Sequence, residues 1–499
     1  MGPRDHSIAS ELRETCSITV YDASVKAPWG VLSGSNHQLG HFDQCLSVSW
    51  HDLRGQYCLP SIKLKPLQPQ PLPRDVHSSE FHQQQSAWLK IQFAGDPTKR
   101  HRDVVRWALC VPASCSPRQV EAALGAALLQ AGRQLGVQLT AELQTEYCTV
   151  HEQQNGLPTS TILYLSCAAA LIILVIVATV YDVTVCKEDV NKNEKHKGVL
   201  HKAMILFSAQ NNMRKLLHVE KRKSLQGYSP LHVFLTFCVV SVHRYMDCYR
   251  YPIYNGEFID MALHTPYFYV LSYGTVHINS FFARSGFHLA YCLSEEFEKS
   301  VEARKILLSI INRYLRLTPL YFMVILFYIY VLPYLGSGPL WKTTVIQEKE
   351  NCEKYWWANI LYINNYVGAK NMCILPTWYL SVDFQLQILG AILIYMKWRL
   401  PKRGWVVTGV VLVLSVVMSF SVLCQKQTDM FFTYTKEFHT DIRTDQVFQE
   451  VYISTLGRVP ACFIGIVGGL IVYNQRAASF RLSKVSGPSV FIGVFYGCE

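Results

Sequence analysis

From Thr161 to Val180 the chain runs for 20 residues without a single charge, and nearly all of them are apolar. At about 1.5 Å of rise per residue, such a segment covers a hydrocarbon core of ~30 Å. Only a helix satisfies its own backbone there. Further apolar runs fall near 230–246, 264–292, 317–335, 376–396, 405–424 and 459–474. Repeated spans fix the class: an α-helical polytopic membrane protein. Composition agrees, since 50% of the 499 residues are hydrophobic and only 17% charged. The net charge of +11 comes in short Lys and Arg clusters between apolar runs. That is the positive-inside pattern, and no nucleic-acid partner is expected.

The segment ahead of the first span is different in kind. It is largely polar, is rich in proline over 66–73, and contains Cys16, Cys45, Cys58, Cys110, Cys115 and Cys148. An even set of cysteines in one soluble segment reads as a disulfide framework in an oxidising compartment. Spacing does not select the connectivity, and incidental reduced thiols are the plainer alternative. Ser116, Pro117 and Glu121 read as N-cap, first helical residue and early acid, so a helix is expected over 117–143. The fold expected for residues 1–158 is therefore a disulfide-bonded, largely helical extracytoplasmic domain. Next come the first transmembrane helix at 159–182, a basic cytoplasmic linker at 183–228, and a membrane domain at 229–499. Lys187, Lys192, Lys195, Lys197 and Lys202 mark the cytoplasmic side of the first span. Cys352 and Cys373 then share a luminal loop where a bridge is allowed. No apolar signal core follows Met1, and the run from Val490 to Cys498 is too short to span, so both ends are expected to be incomplete.

Within the membrane domain, ionisable residues stand out because they are costly. An Arg such as Arg284 at the centre of a span costs roughly 2.5–3.5 kcal/mol, so it is expected to face a bundle interior or a watery cavity. The alternative is a lipid-edge side chain reaching the interface. His243 lies near one end of an apolar helix, and imidazole accepts a proton from a hydroxyl near neutral pH. It is the expected general base, with Asp247 one turn on to orient it; an interfacial hydrogen-bonding histidine is the rival reading. Arg313 and Arg316 share a helix face beside Arg304 and Lys305 and suit the phosphates of an acyl donor. A positive-inside cluster without a ligand would look the same. Ser285 and Gly286 would admit an acyl chain, or serve helix packing. Asp383, in or near a span, is a functional candidate by default, or a structural partner for an Arg such as Arg458.

These residues sit in motifs that carry a resemblance. Tyr21-Asp22-Ala23-Ser24, Pro28 to Ser35, Leu39 to Cys45 and Gly55-Gln56-Tyr57-Cys58 resemble the N-terminal domain of the nose resistant to fluoxetine proteins. Phe281-Phe282-Ala283-Arg284-Ser285-Gly286, Arg313 to Pro319, Tyr355-Trp356-Trp357 with Asn364-Asn365, and Thr377 to Gln385 resemble the membrane acyltransferase 3 domain of the same family. The resemblance implies an integral-membrane transferase that moves an acyl group from acyl-CoA or a similar donor to an acceptor hydroxyl. It also implies that His243 matches the family's catalytic histidine. Two positions depart from the pattern. His232 stands where the family has an Arg eleven residues before that histidine, and Asn279 where an acid often precedes the two phenylalanines. His232 replaces a fixed cation only when protonated.

Two functions follow as expectations. The first is an acyltransferase acting on a lipid, sterol or carbohydrate hydroxyl, with acyl-CoA as co-substrate, no bound cofactor and no metal. Its partners are membrane lipids, the acyl donor and a small hydrophobic or hydroxylated acceptor. The second is a non-catalytic transporter or binding protein for lipids and hydrophobic xenobiotics. Either resides in the plasma membrane or an endomembrane, with the N-terminal domain luminal or extracellular.

Overall fold

A computed structural model of the chain describes residues 18–51, 53–67, 91, 102–151, 156–188, 198–218, 228–262, 265, 274–400, 402–426 and 441–475. Ahead of the first span it forms strands β1 (His37–Gln38), β2 (Ser49–Trp50), β3 (Leu53–Cys58), β4 (Ser61–Pro66), β5 (Val104–Trp107), β6 (Leu109–Pro112), β7 (Val137–Glu142) and β8 (Cys148–Val150). They build two small sheets. One has the order β1-β5-β4-β7; in the other β3 lies between β2 and β6 and also pairs with β8. Disulfides Cys45–Cys110 and Cys58–Cys148 cross-link this framework. Each lies in its own apolar cluster, the first with Ala23, Tyr57 and Leu59, the second with Val120 and Leu143.

The helical expectation for this domain is met in part. Helix α1 (Phe42–Ser47) is short and α2 (Pro117–Leu135) long, and eight strands accompany them. Helix α2 starts as its sequence dictates: Ser116 accepts from the Gln119 backbone N–H, and the Gln119 side chain returns the bond to the Ser116 N–H. It ends eight residues before the expected 143 because Gly136 turns left-handed at φ 68°, which releases Val137–Glu142 into β7. Among the six cysteines proposed as a framework, Cys115 is a free thiol, and Cys16 lies outside the described residues.

The remainder is helical: α3 (Thr159–Glu188), α4 (Val199–Phe207), α5 (Ala209–Leu217), α6 (Tyr228–Arg250), α7 (Gly256–Ala262), α8 (Gly274–Lys299), α9 (Ala303–Tyr330), α10 (Gln347–Ile360), α11 (Trp378–Arg399), α12 (Gly404–Lys426) and α13 (Val459–Gln475). Among the described residues, five stretches are long and apolar enough to cross a membrane: Thr159–Thr184, Ala303–Tyr334, Leu375–Arg399, Gly404–Gln425 and Leu456–Gln475. The protein is thus a multi-pass membrane protein. Helices α6 and α8, of 23 and 26 residues, have the length but interrupt their apolar runs with polar side chains. Two boundaries move. The span expected to end at 292 continues as helix to Lys299, and the one expected at 317–335 begins at 303, because its first turns are helical while still carrying Arg and Lys.

The N-terminal domain is seated on the membrane domain. Arg102 and Asp260 of α7 form a fully buried ion pair at 3.2 Å, with side chains 0% and 3% exposed, and Arg102 also donates to the Leu32 carbonyl. Trp29 stacks on Tyr254 at 5.4 Å beside them. The loop from α9 to α11 is closed by the expected Cys352–Cys373 disulfide. Disulfides here and in the N-terminal domain point to an oxidising, extracytoplasmic side for both. A polar network locks the loop down. Asn359 donates to Tyr321 OH at 2.7 Å and to the Cys373 carbonyl at 3.0 Å, Asn365 donates to Thr455 at 3.0 Å, and Thr455 donates to Gln385 at 2.6 Å. Buried amides of this kind are stable only when paired.

Candidate active site

Helix α8 is the hub, and its residues sort onto three faces at 100° per residue. Ala283, Gly286, Phe287 and Ala290 face α13. There a Cβ on Gly465 would run into the Ala283 carbonyl, one on Gly286 into the Cys462 carbonyl, and one on Gly469 into the Phe287 carbonyl. Small residues let the two backbones touch, the membrane helix-packing device. Gly286 therefore serves packing. On the second face Phe282, Ser285 and Leu289 meet α11, where Gln387 Nε2 donates to Ser285 Oγ at 2.6 Å and to its carbonyl at 3.2 Å. Ser285 is thereby engaged by α11.

The third face carries Phe281, Arg284 and His288, each one turn from the next. Arg284 Nη1 lies 3.3 Å from His232 Nδ1 of α6, and Phe281 meets the same ring edge-on at 5.3 Å. The charges of Arg284, Arg313 and Arg316 all reach His288. Arg313 is bound to Asp383 Oδ2 on α11 in an ion pair with side chains 23% and 7% exposed. The other carboxylate oxygen, Oδ1, is buried and has no hydrogen-bond partner among the described residues. Tyr379, one turn before Asp383, feels Asp383, Arg313 and Arg284 together, and its ring packs on Phe282 at 4.9 Å. Buried Cys462 lies within the fields of Asp383 and Arg313. Helices α6, α8, α9, α11 and α13 thus converge on one cation-rich centre in the bundle.

Arg458 is not the partner of Asp383. It is buried, donates to Asn279 Oδ1 at 2.8 Å and to the Tyr452 carbonyl at 2.7 Å, and stacks over the Tyr452 and Trp378 rings at 4.8 and 5.8 Å. Asn279, the neutral residue at the position where an acid was anticipated, caps this guanidinium. Burial pushes the Tyr452 hydroxyl up to about 12, so it stays neutral there.

His243 and Asp247 lie elsewhere. Helix α6 packs through Leu235, Cys238 and Val242, and His243, one residue past that stripe, is exposed together with Asp247. Among the described residues, no hydrogen bond or ion pair joins the imidazole to the carboxylate. Arg284, Arg313 and the exposed Arg316 act on His288, while His243 lies on α6 eleven residues, about 16 Å of helix, from the His232 that meets Arg284. Tyr379 and Cys462 were given no role from the sequence, and His288 was noted only as one of two histidines in the stretch 277–293. The i, i+4 spacing from Arg284 to His288 and from Tyr379 to Asp383 was the signal that would have found two of them.

Comparisons with known proteins bear on this geometry. Residues 7–124 match the nose resistant-to-fluoxetine protein N-terminal domain. The nose resistant to fluoxetine protein 6 of Caenorhabditis elegans is 23% identical over 439 residues, 80% of this chain and 52% of that protein. The chain therefore spans about half the length of the curated relative it matches. No solved structure matches. Residues 231–497, more than half of the chain and all five helices of the polar centre, match the acyltransferase domain, and the protein belongs to that family of membrane acyltransferase-domain proteins.

Proposed function

We propose that the protein transfers an acyl group from acyl-CoA, or a donor of similar charge, to a hydroxyl of a lipid, sterol or carbohydrate. One observation carries the reading: Arg284 sits 3.3 Å from His232 inside the bundle, on the face of α8 that meets α6, the helix that bears His243. Cations are costly at such a site unless an anion shares it. A guanidinium fork fits a phosphate oxygen pair, and Arg316, exposed toward the basic end of α9, would meet a donor's phosphates first.

His243 then supplies the proton transfer. Its neutral imidazole takes the acceptor hydroxyl proton while that oxygen attacks the thioester carbonyl. A carbon–oxygen bond forms, the carbon–sulfur bond breaks, and the thiolate of CoA leaves and receives the proton. Asp247, one turn along, would stabilise the imidazolium that forms in between.

The test is purified protein with radiolabelled acyl-CoA and a membrane lipid extract, comparing wild type with His243→Ala. Wild type is expected to place label on a lipid product, and the variant to lose roughly 10²-fold or more in rate while eluting as a folded protein. Equal rates would remove His243 from the mechanism. A folded wild type that neither transfers nor hydrolyses would overturn the enzyme reading and leave ligand transport through the bundle in its place.

A further inference from the structure

Two short helices at the inner end of the first span take no part in the chemistry above. Helices α4 and α5 meet at Ser208, whose hydroxyl donates to Asp182 Oδ2 at 2.6 Å. The Ala209 N–H donates to Thr179 Oγ1 at 2.9 Å, and the Tyr181 hydroxyl lies 3.0 Å from His201 Nδ1. His201 and Ser208 are separated by seven positions, about 10 Å of helix. Yet they meet adjacent residues of α3, Tyr181 and Asp182. Helix α4 therefore crosses the end of the span instead of running beside it, which lays it in the plane of the membrane.

The surface these helices present is apolar on one side and basic on the other. Helix α4 turns His201 and Ile205 inward and leaves Val199, Leu200 and Leu206 at 87%, 78% and 66% exposure. On α5, Ala209, Met213, Leu216 and Leu217 follow the i, i+4, i+7, i+8 spacing of a single stripe, and the last two are 79% and 70% exposed. Asn211, Arg214 and Lys215 occupy the other side. A stripe of this kind is stable against acyl chains and not in water. Lys202, Arg214 and Lys215 flank it, and residues 183–228 together hold ten Lys and Arg against four Asp and Glu. That surplus at the cytoplasmic end of a span is complementary to an anionic leaflet.

We infer that α4 and α5 form an interfacial anchor that lies on the cytoplasmic leaflet and binds anionic phospholipid headgroups through Lys202, Arg214 and Lys215. Met213, Leu216 and Leu217 enter the acyl-chain boundary, and the Ser208–Asp182 and Ala209–Thr179 bonds hold the pair at headgroup depth. The site is independent of the acyl-transfer reading, since none of its residues belongs to the polar centre.

The experiment uses the full chain in nanodiscs of phosphatidylcholine alone or mixed with phosphatidylserine, and follows amide hydrogen exchange over 209–217. A basic residue near an anionic surface contributes about fivefold in affinity, so exchange is expected to slow roughly tenfold or more when phosphatidylserine is present. Lys202→Gln/Arg214→Gln/Lys215→Gln is expected to erase the difference between the two discs. Leu216→Ser/Leu217→Ser is expected to speed exchange in both. Identical protection of the wild type in both discs, or a preference that survives the triple variant, would overturn the inference. So would equal protection of phosphatidylcholine discs by added glycerophosphoserine, which would mean a free-phosphate site. An unchanged thermal melt of the triple variant keeps loss of fold apart from loss of binding.

Discussion

The α13 face and the α6 face of α8 lie on opposite sides of one helix and are held by opposite means. On the α13 side, Gly286, Gly465 and Gly469 bring backbone against backbone, and nothing larger fits. On the α6 side contact is made by Arg284, His232 and Phe281, long or flat side chains that meet at their tips. The first arrangement has a single geometry. The second is built from side chains with several torsions, and it is the side on which Arg284 and His288 lie. The bundle is therefore packed backbone to backbone on one face of α8 and by side-chain tips on the other.

The largest effect should come from closing the gap on the rigid face. Gly465→Leu puts a side chain where the Ala283 carbonyl already sits, and overpacking a tight contact costs ~3 kcal/mol or more. Little monodisperse protein is expected by size-exclusion chromatography. A normal yield and melting profile would show that α8 and α13 separate easily, and the contrast between the faces would fall.

Asp383→Asn is next. It leaves the Arg313 guanidinium without its carboxylate, and because Arg313 is partly open the cost should be about 2–3 kcal/mol, below that of a fully sealed pair. Arg313→Leu/Asp383→Leu should recover most of the melting temperature, since removing both charges also removes their desolvation. If the double variant melts no higher than the single one, the pair is not the main contact between α9 and α11.

A smaller change separates two readings of Ser285. With its hydroxyl held by Gln387, Ser285→Ala should cost about 0.6 kcal/mol, the average for a hydrogen bond between membrane helices, and leave the KM for acyl-CoA unchanged. A raised KM at unaltered stability would instead return Ser285 to donor binding.

What the sequence disclosed follows from how each element is built. Thr159–Thr184, Gly404–Gln425 and Leu456–Gln475 are apolar enough to be read directly. The start of α9 is not, because Arg304, Lys305, Arg313 and Arg316 mask fourteen residues of helix that tertiary contacts support. The strands of the N-terminal domain have two to six residues, too few for an alternating pattern to show, and disulfides replace the long apolar faces that would have announced them. Arg284, Arg313, Arg316 and Asp383 were legible singly, since a charge in a span is conspicuous. Their assembly was not, because the Arg313–Asp383 pair spans 70 positions and no local periodicity reaches so far. Arg458 illustrates the same limit: composition offered it to Asp383, and the fold delivered it to Asn279 and Tyr452.

The smallest effect on stability should accompany the largest on activity. His243 lies one residue off the packed stripe of Leu235, Cys238 and Val242, is exposed, and makes no hydrogen bond to Asp247, so His243→Ala removes little that holds α6 in place. A change within about 0.5 kcal/mol is expected, as at other exposed positions. Acyl transfer in the same preparation should fall by roughly 10²-fold or more. A drop of several degrees in melting temperature would instead assign His243 to the packing of α6, and the loose face of α8 would then be a structural contact like the tight one.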